Sequence, residues 1–283
     1  MPELPEVETI RIGLQKYLVG HTIEDVIIHL PKQISGDTKS IIGAKILSVK
    51  RFGKGLVITL SNGYSITIHV KMTGQLLYKN SSLSSQPIAG NAKVSVASLP
   101  DRYTHVVFKL DKGASLFYRD VRQFGWIRVV RSDLVATEQY FRSLGPEPLR
   151  DLTLDMFQQI LSKRKTPIKQ LLMDQSLIAG IGNIYANDAL FVARIHPKRS
   201  ANSLTQKEQK LLFLAIEQVL KKGIEVGGAS EWSYVDALGK SGRYQEFFQV
   251  YRKHGQKCPR CGTEIETIRL GGRGTFFCPE CQR

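Results

Sequence analysis

Chemistry is available from the second residue of the chain, where proline is followed by glutamate in Met1-Pro2-Glu3-Leu4-Pro5-Glu6-Val7-Glu8. Proline is small enough at this position for the leading methionine to be trimmed, which leaves Pro2 with a free secondary amine. An α-amino group titrates near ~8 and a lysine near ~10.4, so a useful fraction of the terminal amine is neutral and nucleophilic at physiological pH. When a secondary amine attacks an acetal carbon and expels a leaving group, the product is a cationic iminium. That cation acidifies the neighbouring C–H and opens the way to elimination, and Glu3 is next door to donate or take the proton. The same residues also read as an ordinary helix start, with Pro5 in the first turn and Glu6 and Glu8 facing the positive end of the dipole. The two readings are compatible, because a helix beginning at Pro5 would fix the amine in space.

The four cysteines form two pairs near the other end, Cys258-x-x-Cys261 and Cys278-x-x-Cys281, with 16 residues between them. This is zinc-ribbon spacing, in which two knuckle turns meet to present four thiolates to one structural Zn2+. Two disulfides are the alternative, although nothing else in the chain suggests an oxidising compartment.

Cations gather at Lys163-Arg164-Lys165 and Lys169. Phosphate binding is their natural use and a solvated face the alternative. The stretch that follows, Asp174 to Asn183, is a glycine-punctuated turn feeding a new helix, and Gly180 and Gly182 would let the backbone approach an anion. Met72 and the loop containing Arg122 and Phe124 place a methionine, an arginine and an aromatic ring at loop tips. Such side chains can wedge into a base stack, but Met72 and Phe124 taken singly also fit a core. Lys54 lies between two glycines, which would leave its amine free to reach a phosphate or sugar.

These groups need a scaffold, and 283 residues suffice for two domains and a small appendage. Forty Lys and Arg against 25 Asp and Glu give a net charge of +15, which points to a polyanionic partner, a merely soluble basic protein being the alternative. No apolar run approaches the ~20 residues that span a bilayer, and the acidic start is no signal peptide. The expectation is a soluble, intracellular protein, monomeric in the absence of any oligomer signal. After an amphipathic first segment, alternation predicts strands at 23–30, 44–51, 56–60, 65–70, 76–79, 103–110, 114–119 and 126–130, arranged as a sandwich or barrel. Residues 80–101 read as a flexible surface insertion and 144–148 as a linker. Helical spacing follows at 154–161, 168–173, 183–191 and 204–220, the last with a Thr205-x-x-Glu208 capping box. Residues 227–244 lose periodicity and read as a mobile loop, a candidate lid beside a site.

Taken together, these residues resemble the formamidopyrimidine-DNA glycosylase family from Pro2 to Arg283. The likeness rests on Pro-Glu-Leu-Pro-Glu, the Met72 turn, the Asp120 to Gly125 loop, the run from Gly180 to Ala186, the stretch from Gly272 to Cys278 and the cysteine spacing. It implies an α+β multidomain fold: an N-terminal β-sandwich (1–144), a helix-two-turns-helix domain (145–240) and a zinc-finger β-hairpin (241–283), with DNA in a cleft. The implied activity is a bifunctional glycosylase/AP lyase acting on oxidised purines or abasic sites in duplex DNA. Pro2 would form the Schiff base and Glu3 donate the proton. Lys54 would act in β-elimination, and Arg273 would hold the phosphate in δ-elimination. Met72, Arg122 and Phe124 would fill the vacated place, while His105, Arg164, Lys169, Asn183 and Tyr251 would contact the backbone. The 227–244 loop would close over the flipped lesion. Four places differ from the usual pattern: Gln123 stands where arginine is frequent, Lys71 where glycine is frequent, Asn187-Asp188 where the pairing usually ends in glutamate, and the 80–101 insertion is longer than expected. Rivals are an endonuclease VIII-like enzyme for oxidised pyrimidines, which Leu4 disfavours, and a non-catalytic zinc-finger binding protein.

Overall fold

A computed structural model describes residues 1–81, 94–231 and 233–283. The middle of the expected 80–101 insertion therefore lies outside the described residues. The chain divides into two compact units, Met1–Arg142 with Val226–Gln245, and Ser143–Glu225 with Glu246–Arg283. The stretch expected as a helical domain from 145 to 240 is thus shared between the units from Val226 onward.

The first unit is a sandwich behind one helix. Helix α1 (Leu4–Leu18) turns Val7, Ile10, Leu14 and Leu18 toward the core, the i, i+3, i+4 stripe seen in the sequence. One sheet has the order β1 (Ile23–Ile28), β7 (Thr104–Leu110), β8 (Ser115–Asp120), β6 (Gly74–Lys79). The other runs β2 (Ile34–Ser35), β9 (Trp126–Arg131), β5 (Tyr64–His69), β4 (Gly55–Leu60), β3 (Ile46–Phe52), all antiparallel except for β2 beside β9. Strand alternation sends Leu76, Val106, Phe108, Leu116 and Tyr118 inward to meet Ile58, Ile66, Ile68 and Ile127. The opposite face of the four-stranded sheet, Leu77, Val107 and Phe117, is covered by Val96, Leu99 and Val235.

Val235 belongs to the stretch expected to be a mobile loop, and that expectation needs correction. Tyr234, Val235 and Ala237 are buried, Tyr78 donates its amide to the Ala237 carbonyl at 2.8 Å, and Ala229 bridges to Arg243. An aperiodic chain is anchored here because its few apolar residues are spent on two separate core clusters rather than on one face of a helix or strand.

After the short helix α2 (Gln139–Arg142) of the first unit, the second unit holds α3 (Leu154–Ser162), α4 (Ile168–Met173), α5 (Asn183–Val192) and α6 (Gln206–Glu225), then the hairpin of β10 (Glu266–Leu270) and β11 (Arg273–Phe277). Thr153 caps α3 by accepting the Met156 amide, and the Thr205–Glu208 capping box forms as expected. Helices α5 and α6 approach closely at Gly223, where an added Cβ would stand 2.5 Å from the Tyr185 hydroxyl. The expected linker is packed rather than free: Gly145 donates to the Gln175 carbonyl at 2.9 Å, and a Cβ there would strike the Leu177 backbone at 2.6 Å.

Candidate active site and nucleic-acid interface

Pro2 and Glu3 are both buried, and Met1 is exposed beside them. Glu3 is the N-cap of α1, so the first helical turn sets where the Pro2 nitrogen stands. The capping box is an unusual acid-x-x-acid pair, in which the Glu6 carboxylate accepts the Glu3 amide at 2.8 Å. Its other oxygen accepts the Ala229 amide at 2.8 Å. Gly228 takes φ +80° there, and a Cβ on it would lie 2.8 Å from Glu6 Cγ. Glu6 therefore ties the candidate nucleophile to the 226–245 segment, a role that the sequence reading missed. The acid-x-x-acid spacing at a helix start was its only signal.

Lys54 is not at an open tip: it is 3 % exposed, and its amide donates to the Tyr140 hydroxyl at 3.0 Å. The glycine after it makes room for that ring, since a Cβ on Gly55 would meet Tyr140 at 2.6 Å. His69, packed edge-on against the same ring, is held neutral far below its ordinary range. Burial is the main cause, with the charges of Lys71 and Lys54 adding to it.

The two loops that carry the candidate wedge residues share a buried hub that sequence reading did not single out. Asp120 accepts the Thr73 hydroxyl, next to Met72, and the amides of Arg122 and Gly125. The His105 ring donates to the Asp120 carbonyl at 2.8 Å. His105 is therefore a buried brace of this loop. Phe124 is 56 % exposed with the Arg122 guanidinium over its ring, and Met72 is half-buried. A Cβ on Gly125 would fall 2.0 Å from the Tyr118 hydroxyl, which accounts for a glycine that closes the loop. Gln123 takes φ +59° and is held through its carbonyl by Gln33. Lys71 takes φ +49°, the left-handed region that costs a side chain ~1–2 kcal/mol and glycine nothing. Its amide donates to His69 Nδ1 at 2.9 Å, which offsets part of that strain.

In the second unit Arg164, Lys169 and Arg273 line one depression of about 530 Å3 together with Gln170 and Gly271. Lys169 is not the surface cation expected: it is 1 % exposed, with Nζ on the Gly274 carbonyl and the Thr275 hydroxyl at 3.0 and 2.6 Å. Asn183 donates to the same carbonyl at 3.1 Å, and Asn187 accepts the Phe276 amide at 2.8 Å. These three residues join helices α4 and α5 to strand β11, so that Arg273 is carried, exposed, at a supported hairpin tip. Tyr251 packs edge-on against Phe276 of the same strand. Asp188, one of the unusual pair, is fully buried and accepts the amides of Gln249, Val250 and Tyr251 through one oxygen.

The four cysteine sulfurs lie within 4.8 Å of one another, with 3.5 Å from Cys261 to Cys278 and 3.8 Å from Cys258 to Cys281. Disulfides need ~2.05 Å. Four thiolates ~2.3 Å from one tetrahedral ion would stand ~3.8 Å apart, so the donor set and its spacing suit a metal. The amides of Arg260 and Cys281 point at Cys258 and Cys278 sulfurs, as knuckle turns require.

A buried proline-glutamate pair at a rigid helix start, and a cation-bearing hairpin on a helical support in a chain of net charge +15, are the features to set beside known proteins. Residues 1–127 match the formamidopyrimidine-DNA glycosylase N-terminal domain, 144–234 the formamidopyrimidine-DNA glycosylase H2TH domain, and 255–283 the zinc finger found in FPG and IleRS. A formamidopyrimidine-DNA glycosylase of Pelotomaculum thermopropionicum is 43 % identical over 100 % of this chain and 99 % of its own. Among solved structures, a Lactococcus lactis FPG mutant with Fapy-dG containing DNA superposes with a TM-score of 0.87 at 34 % identity, covering 100 % of both chains. The Lactococcus lactis Fpg with abasic-site DNA gives 0.86 at 35 % identity, covering 99 % of each. The chain belongs to the formamidopyrimidine-DNA glycosylase family.

Proposed function

We propose that this protein is a bifunctional DNA glycosylase/AP lyase of base excision repair, acting on oxidised purines such as 8-oxoguanine and formamidopyrimidines in duplex DNA. The relatives bound to Fapy-dG and abasic-site DNA support these substrates. A damaged base inside a duplex is out of reach and must be everted, and weakened pairing lowers that cost. Met72, Arg122 and Phe124 take the vacated place.

With Met1 removed, the neutral Pro2 nitrogen attacks C1′ as the bond from C1′ to the base breaks, and the base leaves with the proton that the nitrogen gives up. The nitrogen lone pair then forms the iminium as the C1′–O4′ bond opens, and Glu3 protonates O4′. Loss of a C2′ proton expels the 3′ phosphate, and a second elimination expels the 5′ phosphate. Water finally hydrolyses the iminium and returns the amine. Lys54 takes an acid/base part in these eliminations, and Arg273 holds the departing phosphate. His105 braces the wedge loop, while Arg164, Lys169, Asn183 and Tyr251 form or support the phosphate-binding face. One structural Zn2+ on Cys258, Cys261, Cys278 and Cys281 keeps the hairpin folded. Among the described residues no helix is long and apolar enough to cross a membrane, and a DNA substrate assigns the protein to the cell interior.

The observation that carries this reading is the seat of Pro2 and Glu3, buried at the start of a helix and tied down through Glu6. Borohydride reduction on abasic duplex DNA tests it. A covalent adduct that disappears in Pro2→Gly is expected; no adduct, or one indifferent to that change, defeats the enzyme reading. Release of thymine glycol faster than 8-oxoguanine would assign the protein to oxidised pyrimidines instead.

A further inference from the structure

The loop that carries Arg122 and Phe124 is tied at both ends to Asp120, which takes the Arg122 amide at 3.3 Å on one carboxylate oxygen and the Gly125 amide at 2.8 Å on the other. The stretch between these ties is held from a second direction: Gln33 Nε2 donates to the Gln123 carbonyl at 2.9 Å. That carbonyl belongs to the planar peptide leading into Phe124, so fixing it sets how Phe124 leaves the loop. Gln123 itself takes φ +59°, a region that a side chain disfavours. The Arg122 guanidinium lies 4.8 Å from the centre of the Phe124 ring. One bond therefore bears on the direction of both exposed side chains.

Gln33 projects from a backbone that is fastened on either side. It ends the 3-10 turn Pro31–Gln33. Before the turn, the amides of His29 and Leu30 donate to the His105 carbonyl at 2.8 and 3.3 Å, and after it Ile34 pairs with Ile127 of β9. The residue is 1 % exposed. A carbonyl can only accept, so the side-chain amide presents its NH2 to Gln123 and turns Oε1 the other way. There Oε1 is shut off from water and meets no donor among the described residues. A buried acceptor left unpaired is destabilising, and an apolar side chain of the same length would avoid it. What the glutamine supplies in return is the hold on the loop.

We propose that Gln33 is a positioning residue for recognition of the base opposite the lesion: by fixing the Gln123 carbonyl it aims Arg122 and Phe124 at the base left without a partner. This rests on the glycosylase reading above, in which those two side chains take the vacated place. A loop aimed in this way distinguishes one opposite base from another, and it has nothing to distinguish where that base is missing.

Two variants of similar size test the assignment. Gln33→Met removes the donor together with the unpaired acceptor, and Gln33→Glu sets an oxygen against the Gln123 carbonyl. Single-turnover release of 8-oxoguanine is measured on duplexes with cytosine, with adenine and with no base opposite the lesion. In both variants the ratio of the cytosine and adenine rates should move toward one by roughly fivefold, ~1 kcal/mol in the difference between the barriers. The duplex with no base opposite should show the smaller effect, within about twofold of the unsubstituted protein, on the same scale. A ratio unmoved in both variants, or equal slowing on all three duplexes, overturns the proposal. Failure of the unsubstituted protein to release the base or to form a borohydride adduct is a different result and overturns the glycosylase reading instead.

Discussion

A histidine shut away from water binds a proton only at the cost of burying a charge. His69 is in this position, between the rings of Trp126 and Tyr140, with Nδ1 engaged by the Lys71 amide. Burial first, then the charges of Lys71 and Lys54, lower its pKa to about 3 from an ordinary 6.5. The unfolded chain therefore takes up a proton near 6.5 that the folded chain refuses until about 3. The sign follows from linkage: this contribution to stability is complete above 6.5 and is lost progressively as the pH falls toward 3. Replacement by glutamine keeps an uncharged acceptor for the Lys71 amide and removes the titration. The melting temperature of His69→Gln should thus fall less between pH 7 and pH 4.5 than that of the unsubstituted protein, on the ordinary histidine scale. Parallel melting profiles would mean that His69 is already charged in the fold. The ring also shows why single residues were hard to read from the sequence. His69 in a strand run looks like any β-surface histidine, and only the fold brings Tyr140 across it.

Elements whose pattern reports one buried face were legible. The alternation in β4 to β9 and the apolar stripe of α1 come from neighbours two or three and four apart, and the observed bounds fall within about two residues of those expected. Elements defined by distant partners were not. Strands β10 and β11 have only two buried residues between them, because their positions are set by four cysteines and by Lys169, Asn183 and Asn187. The 226–245 segment escaped for the same reason. The Cys-x-x-Cys pairs, Pro2-Glu3 and the Arg122–Phe124 loop stood out because each is a local signature, whereas Glu6, Asp120 and Asp188 also bind residues remote in sequence, at Ala229, Thr73 and Gln249 to Tyr251. Asp188 is the clearest case: helix α5 offers its carboxylate as a cap to three successive amides of the chain leading to the hairpin. Asp188→Ala leaves these donors without that acceptor, and a buried donor left unpaired costs ~1–3 kcal/mol. Urea unfolding should show the second unit weakened by at least about 1 kcal/mol, with the first unit's transition unmoved. A variant as stable as its parent would mean that the cap is dispensable.

Across the whole molecule, a net charge of +15 gives general affinity for a polyanion, and the two units divide the remaining work. The sandwich has its own core and no cysteine, so it does not depend on a metal. The hairpin does. Its small cluster of Phe191, Val250, Ile265 and two cysteines is too slight to fold it alone, and thiolates without an ion repel one another. Its attachments to the helices, Arg260 on the Phe191 and Val192 carbonyls and Gln282 on that of Ile195, are set by the same knuckles. Removing zinc with a strong chelator should therefore release Arg273 and its supports while the sandwich stays folded. Duplex affinity, followed by fluorescence anisotropy, should fall roughly tenfold or more, and the slope of log K against log salt should become shallower as phosphate contacts are lost. Circular dichroism should retain a sandwich melting transition. Undiminished binding after complete metal removal would deny the hairpin its role, and unfolding of both units together would deny that the sandwich stands on its own core.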